Sequence, residues 1–529
     1  LLRETNPSMG RLPPWRGPAA RLARLACLAP AVSAGLRAAR QPSLTCDISD
    51  VKANSRRDIF MHRQSLHRPP LCEPAQQRTW LPAATNCSVH EGPIEFRKAA
   101  IPFWEGNACP LTVEGLKRAG TPAGHEGARL RLRRAMWKVV QGEPAVITVL
   151  GGSMTAGHRS KRSWPDRLGD LFRKLKLPVT VVNRAQGGTT SRWVLANWQS
   201  LTEDLSRSDL ILIDYGINDQ GKNADFRTMD GLGDQLLTGV YRDVLKMLLS
   251  LPNKPAVVDI ETFRTLNIMT MARFEESTLL QRECAEFDIT THRHWMLVKE
   301  LDIPTLSYPE AVCASGRTFW MREGLQEADE NGLQHPGSVT HDLFARVVRG
   351  VLLQEMDEVC TNGIRGTDSP EDAADKVGYH IKCLAEPLSY YESRHGIDGF
   401  KPSFNFGMTW MFEEDVPGKP GWVAGGGTLA EGGKSMMQRF GQLSFPVITE
   451  SGWVQVEFLG TYENIGFVSV WLDDKEPGDE NSCQLDGLWQ EHTSQSRYAL
   501  MKTNLPPGNH TLHFRAYGMK FKLLGVASC

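Results

Sequence analysis

From about Glu126 the chain alternates short apolar runs with longer stretches whose apolar residues return every three or four positions. The runs Ala145–Leu150, Val179–Val182, Leu210–Ile213 and Ala256–Ile260, with Ile303–Leu306 a weaker fifth, are rich in β-branched residues. Runs this short and this continuously apolar predict strands buried on both faces. Between the first two, Ser163-Trp164-Pro165-Asp166 reads as a helix start, and Leu168, Leu171, Phe172 and Leu175 follow at helical spacing. Ala128–Val140, Leu236–Leu251 and Val339–Met356 have the same helical character. Strand and helix in alternation predict an α/β fold, a doubly wound, mostly parallel sheet that presents ligands at the carboxyl ends of its strands.

After Cys360 the pattern changes. Gly363–Asp375 is acidic and turn-rich, and Pro417–Gly433 is dense in glycine. Beyond it the period is two: Val454, Val456 and Phe458 against Gln455 and Glu457, then Leu512, Phe514 and Ala516 against His513 and Arg515. That alternation predicts an antiparallel β-sandwich. Residues 47–125 scatter Pro, Arg and Cys with no sustained period. A chain of 529 residues exceeds what one core usually serves. The expected division is a targeting leader at 1–45, a loosely ordered segment at 46–125, an α/β domain at 126–360, a linker at 361–400 and a β-sandwich at 401–529.

Composition narrows the function. A formal net charge of −1 offers no overall attraction to nucleic acid, so no nucleic-acid partner is expected. No apolar run reaches the ~18–20 residues of a membrane span, so no integral span is expected. Thr5 to Cys46 lacks acidic residues and carries spread arginines. Read from Met9, Leu25–Ala34 is a short apolar core, and Val32-Ser33-Ala34 suits signal peptidase. The expected location is secreted or endomembrane, with an organellar transit peptide as the alternative. Eleven cysteines include no metal-ligand spacing. In an oxidising compartment Cys360 with Cys383, and Cys483 with Cys529, are candidate bridges. Neither cofactor nor metal is expected. His292 and His294, and the pair His335 and His341, have no carboxylate or cysteine at ligand spacing, and His341 reads as a helix-surface residue.

The chemistry gathers at predicted strand ends. Val146–Leu150 runs into Gly151-Gly152-Ser153, a strand-end serine in a tight loop. It is not a phosphate loop, because His158-Arg159 follows Gly157, and not a Gly-x-Ser-x-Gly turn, because position 155 is Thr155. A serine hydroxyl needs a base and oxyanion donors to attack a carbonyl. Gly188 closes the second strand with an unshielded N–H, Asn218 follows the third with a primary amide, and His335-Pro336 precedes a helix. His158 reads as a solvated loop residue. In the sandwich, Trp453, Trp471, Trp489 and Tyr462 read first as core and second as faces for sugar rings.

Serine, glycine, asparagine and histidine, each in its own block and in this order, resemble the SGNH hydrolases, also called GDSL-type esterases and lipases, over residues 135–357. The C-terminal region resembles the accessory sandwiches that follow some of these domains. The resemblance implies an SGNH/flavodoxin-like sheet and an acyl-ester hydrolase. Ser153 would be its nucleophile and His335 its base, with the Ser153 N–H, Gly188 N–H and Asn218 amide as oxyanion hole. The family's usual Asp-x-x-His would place aspartate at 332, where this chain has Gly332. Asp329, with Glu330 behind it, is the expected substitute, and a backbone carbonyl is the alternative. The expected substrate is an acyl ester, an O-acetyl group on carbohydrate. The alternatives are a lipid or lysophospholipid esterase and a catalytically inactive glycan-binding protein.

Overall fold

A computed structural model describes residues 69–529 apart from 88–91, 97–98, 159, 220–235, 263–283, 285–286, 293, 317–318, 321–334, 369–386, 408, 426–440, 474–475, 478–481, 489–493, 503 and 518. The described residues belong to one compact unit, His67–Cys529. Five parallel strands form its central sheet: β1 Ala145–Gly151, β2 Val179–Asn183, β3 Leu210–Asp214, β4 Ala256–Glu261 and β5 Thr305–Ser307. Their order is β2-β1-β3-β4-β5, the doubly wound order in which the chain reverses direction beside β1. Neighbouring residues on one strand feed opposite cores. Leu210 and Leu212 face one apolar cluster while Ile211 and Ile213 face the other, so both faces need helices.

The helices are laid accordingly. α3 Leu130–Val140, α5 Trp164–Lys174 and α12 Ser338–Asn362 cover one face. α6 Arg192–Ala196, α7 Trp198–Arg207, α9 Leu236–Leu249 and α10 Trp295–Glu300 cover the other. The expected cap is present: the Ser163 hydroxyl accepts from the Asp166 N–H at 3.3 Å. Among the described residues the α/β region also has three short helices: α4 Ser153–Ala156, α8 Gly216–Asp219 and α11 Tyr308–Val312.

Residues 69–125, read from sequence as loosely ordered, carry α1 Pro74–Trp80 and α2 Val113–Gly120 and pack on α12. Their order comes from staples and polar anchors rather than from periodicity. Cys72 is bonded to Cys360 and Cys87 to Cys109, and Arg349 of α12 donates to the Ala83 carbonyl at 2.7 Å. Neither expected disulfide forms: Cys360 is taken by Cys72, Cys483 is free, and Cys284 pairs with Cys313. The expected leader lies outside the described residues. Among the described residues no helix is long and apolar enough to cross a membrane.

The C-terminal region stacks two antiparallel sheets around one apolar cluster. Its strands are β6 Ser389–Glu392, β7 Phe404–Phe406, β8 Trp410–Val416, β9 Lys419–Ala424, β10 Gly441–Thr449 and β11 Val454–Gly460, followed by β12 Phe467–Leu472, β13 Ser482–Asp486, β14 Gln495–Lys502, β15 Gly508–Ala516 and β16 Phe521–Ser528. One sheet runs β8-β9-β16-β11-β14 with β6 also on β16; the other runs β13-β12-β15-β10-β7. The stretch read as a linker at 361–400 is therefore partly structural. α12 reaches Asn362, and β6 pairs with β16 through Glu392 opposite Gly525.

Candidate active site

The apolar run of β1 ends at Gly151, and the chain turns at Gly152 so that Ser153 opens α4. A side chain at 152 would occupy the space taken by the Asn218 amide nitrogen, so this position requires glycine. Pro336 and Gly337 lead into α12 and leave His335 just ahead of it. The His335 Nε2 lies 2.8 Å from the Ser153 Oγ, across 182 residues of sequence. With a neutral ring the hydroxyl donates this bond, the arrangement in which imidazole draws a proton from an attacking alcohol. His158 is exposed in a turn, as its sequence reading expected, and its ring also packs edge-on against His335 with centroids 4.5 Å apart.

The other two blocks converge on this pair. Gly188 has φ 75°, the left-handed region that favours glycine, and the Cβ direction of Gly187 points to within 3.8 Å of the Ser153 Cβ. Asn218 is buried and donates from Nδ2 to the Thr189 carbonyl at 2.5 Å. A primary amide carries a second hydrogen that an oxyanion can accept. Asp219, which sequence reasoning left without a role, ties the blocks together. Its Oδ1 accepts from the Ser191 N–H at 2.9 Å, and its Oδ2 lies 3.2 Å from the His294 Nε2. Asp329, Glu330 and Gly332 lie outside the described residues.

Residues 149–287 match the model of the GDSL-like lipase/acylhydrolase family. The α/β region carries a GDSL-like acylhydrolase domain. The chain is accordingly a carboxylic ester hydrolase. A solved two-domain esterase active on acetylated mannans is similar at 16% identity, covering 76% of this chain and 96% of its own, with a TM-score of 0.50. The esterase EstA from Pseudoalteromonas sp. is similar at 15% identity, covering 41% of this chain and 99% of its own, with a TM-score of 0.27. No curated protein matches the chain.

Behind its third block the acylhydrolase domain buries carboxylates that no sequence spacing revealed. Asp214, Asp259 and Glu261 come from the ends of β3 and β4, and His292 and His294 reach them from beside α10. The His292 Nδ1 pairs with the Glu261 Oε2, and the Tyr241 hydroxyl donates to Asp259. Both histidines thus have carboxylate partners in space that they lack in sequence. Asp259, Glu261 and His294 bring ligand atoms within 4.8 Å of one another, a geometry a cation can occupy, apart from the Ser153–His335 pair. Burial opposes charge on His294, yet Asp219, Asp259 and Glu261 hold its pKa above the ordinary imidazole value. Burial also pushes Asp214 up to about 7, against the Thr155 hydroxyl that donates to it at 2.5 Å.

This shift has a pH consequence. An acid whose folded pKa is raised favours the native state while protonated, so its contribution is complete below about pH 4 and is lost as pH rises toward about 7. The change is on the order of 4 kcal/mol. Asp214→Asn should flatten that slope, gaining stability over the parent near pH 8 relative to pH 5 in denaturant unfolding. An unchanged pH slope would show that Asp214 is ionised in the fold.

One further reading from sequence is corrected and one is settled. His341 is not on the helix surface: it is buried, accepts from the Trp164 N–H at 3.1 Å, and is held neutral by burial, with Arg167 and His335 adding to it, at a pKa of about 3. Trp453 and Trp471 take the first of their two readings: both are buried in the sandwich, with Trp471 stacked on His513. Tyr462 remains exposed, and Trp489 lies outside the described residues.

Proposed function

We propose that the protein is a serine esterase that removes short acyl groups, O-acetyl above all, from carbohydrate through an acyl-enzyme. The observation that carries the mechanism is the 2.8 Å contact between the Ser153 Oγ and the His335 Nε2. Ser153 attacks the ester carbonyl as its proton passes to His335, and the oxyanion is received by the N–H groups of Ser153 and Gly188 and the amide of Asn218. The tetrahedral carbon then expels the alcohol, which takes the proton from His335. Water repeats the sequence on the acyl-Ser153 and regenerates the hydroxyl. Asp329 is the proposed partner that orients His335.

A short acyl group is supported by the similar esterase active on acetylated mannans. The hollow lined by Met154, Trp164, Trp320, Pro336 and Phe344, next to the site in sequence, has room for no more than about one water and so adds no space for a long acyl chain. Carbohydrate as the alcohol is supported by the similar esterase active on acetylated mannans. The exposed rings of Phe404 and Phe406, stacked at 6.2 Å on β7, add apolar faces on which a sugar ring can rest. Three disulfides among the described residues suit a secreted or endomembrane location.

A p-nitrophenyl ester series from acetate to octanoate, run beside acetate release from an acetylated polysaccharide, tests this reading. Each methylene that a short-acyl site rejects costs about 1–3 kcal/mol, so octanoate should be slower than acetate by at least about 100-fold in kcat/KM. A maximum at octanoate would make it a lipid esterase. Glycan binding without turnover that depends on Ser153 would make it a binding protein.

A further inference from the structure

The C-terminal sandwich does more than accompany the acylhydrolase domain: one of its strands grips the loop that carries Gly188. β14 is the end strand of its sheet, paired with β11 on one side only. Its free edge turns to the 188–197 segment. The Ser496 N–H donates to the Gly188 carbonyl at 2.7 Å, and the Tyr498 carbonyl accepts from Arg192 Nη1 at 3.0 Å. Residues 496 and 498 share that edge because strand groups repeat every second residue. An end strand leaves such groups unpaired unless something covers them.

The grip extends along the whole segment. Tyr498 is buried in the same apolar cluster as Trp193, Val194 and Leu195, so a sandwich residue completes a core of the α/β sheet. Arg394 lies 5.3 Å over the Trp193 ring, and the Tyr390 hydroxyl donates to the Asn197 Oδ1 at 3.4 Å. Two successive carbonyls are held by different elements: that of Gly188 by β14 and that of Thr189 by Asn218. The Gly188 N–H belongs to the peptide plane before the anchored Gly188 carbonyl, and with no side chain at Gly188 to restrict the hinge between the two planes, holding that carbonyl limits how far the N–H can turn.

We propose that the edge of β14 is a positioning element of the oxyanion hole, with the Ser496 amide and the Arg192–Tyr498 bond aiming the Gly188 N–H. The two regions then work as one catalytic unit rather than as an enzyme with a tethered module. This rests on the reading of Gly188 and Asn218 as oxyanion donors.

The test is Ser496→Pro in the full chain. Proline is tolerated on an edge strand where the N–H faces away from the sheet, and it removes one donor. Removing an oxyanion donor outright typically costs about 10²–10³ in kcat, so a donor left in place but misaimed should cost about 10-fold. The expected result is that drop in kcat for p-nitrophenyl acetate with KM within about two-fold, and an equal drop in the rate at which a p-nitrophenyl phosphonate labels Ser153. Ser496→Ala keeps the amide and measures any part owed to the side chain. Asn218→Ala should lose about 10²–10³, and the double variant less than the product of the two. Parental kcat in folded Ser496→Pro, with Asn218→Ala impaired, overturns the brace alone. Parental kcat in both overturns the oxyanion reading and the brace with it. If Ser496→Pro does not fold, Arg192→Lys, which keeps the charge and loses the fork, is judged by the same readouts.

Discussion

Ser153→Ala should lower ester turnover by roughly 10⁴–10⁶ while leaving the fold intact. The hydroxyl is half-buried at the head of a four-residue helix and contacts His335, so its removal opens no core cavity. What it removes is the only atom in this arrangement able to form the acyl-enzyme. His335→Ala should lose nearly as much, and the double variant little more, because nucleophile and base act as one unit. Single-turnover p-nitrophenyl acetate hydrolysis, with thermal unfolding as the control, measures this. If Ser153→Ala kept more than about a tenth of the parental rate, the acyl-Ser153 mechanism would be wrong.

The second large effect concerns the ring itself. In a serine triad the carboxylate holds the imidazole tautomer, and replacing it by its amide costs roughly 10⁴ in kcat. Asp329→Asn is therefore expected to lose about that much if Asp329 occupies this role, with KM nearly unchanged. The competing arrangement is a Ser153–His335 dyad with a backbone carbonyl on Nδ1. It predicts that Asp329→Asn turns over like the parent while Ser153→Ala does not. Glu330→Gln, assayed in parallel, separates the neighbouring carboxylates.

Much of the fold, and the strand-end placement of the candidate site residues, was legible before any coordinates. β-branched runs with no polar alternation suit burial on both faces, so β1 to β4, with β5 a weaker fifth, were expected as buried strands of a doubly wound sheet; β2 is instead a partly exposed end strand. Ser153, Gly188 and Asn218 stand where those strands stop, which is where the topology collects ligands. The period-two alternation around Val454 and Leu512 likewise announced a two-layer β region. The 69–125 segment gave no such signal, because its order depends on the Cys72–Cys360 and Cys87–Cys109 bonds and on arginines of α12. Cysteine spacing cannot choose among pairings. His341 was misread, and the carboxylate partners of His292 and His294 were missed, for the same kind of reason: these partners are distant in the chain and adjacent in space.

Local pattern alone determined where the main strands and helices of the α/β region and the period-two strands of the sandwich lie, because burial on one face or two imposes a period that sequence must carry. It also determined that a serine, an unshielded glycine N–H, a primary amide and a histidine each sit at an element's end. Only the tertiary structure decided that the hydroxyl and the imidazole meet, that Asp219 links two of the blocks, and that β14 holds the loop between them. Such contacts join groups tens to hundreds of residues apart, and their strength depends on distance and burial, quantities that exist only once the chain has folded.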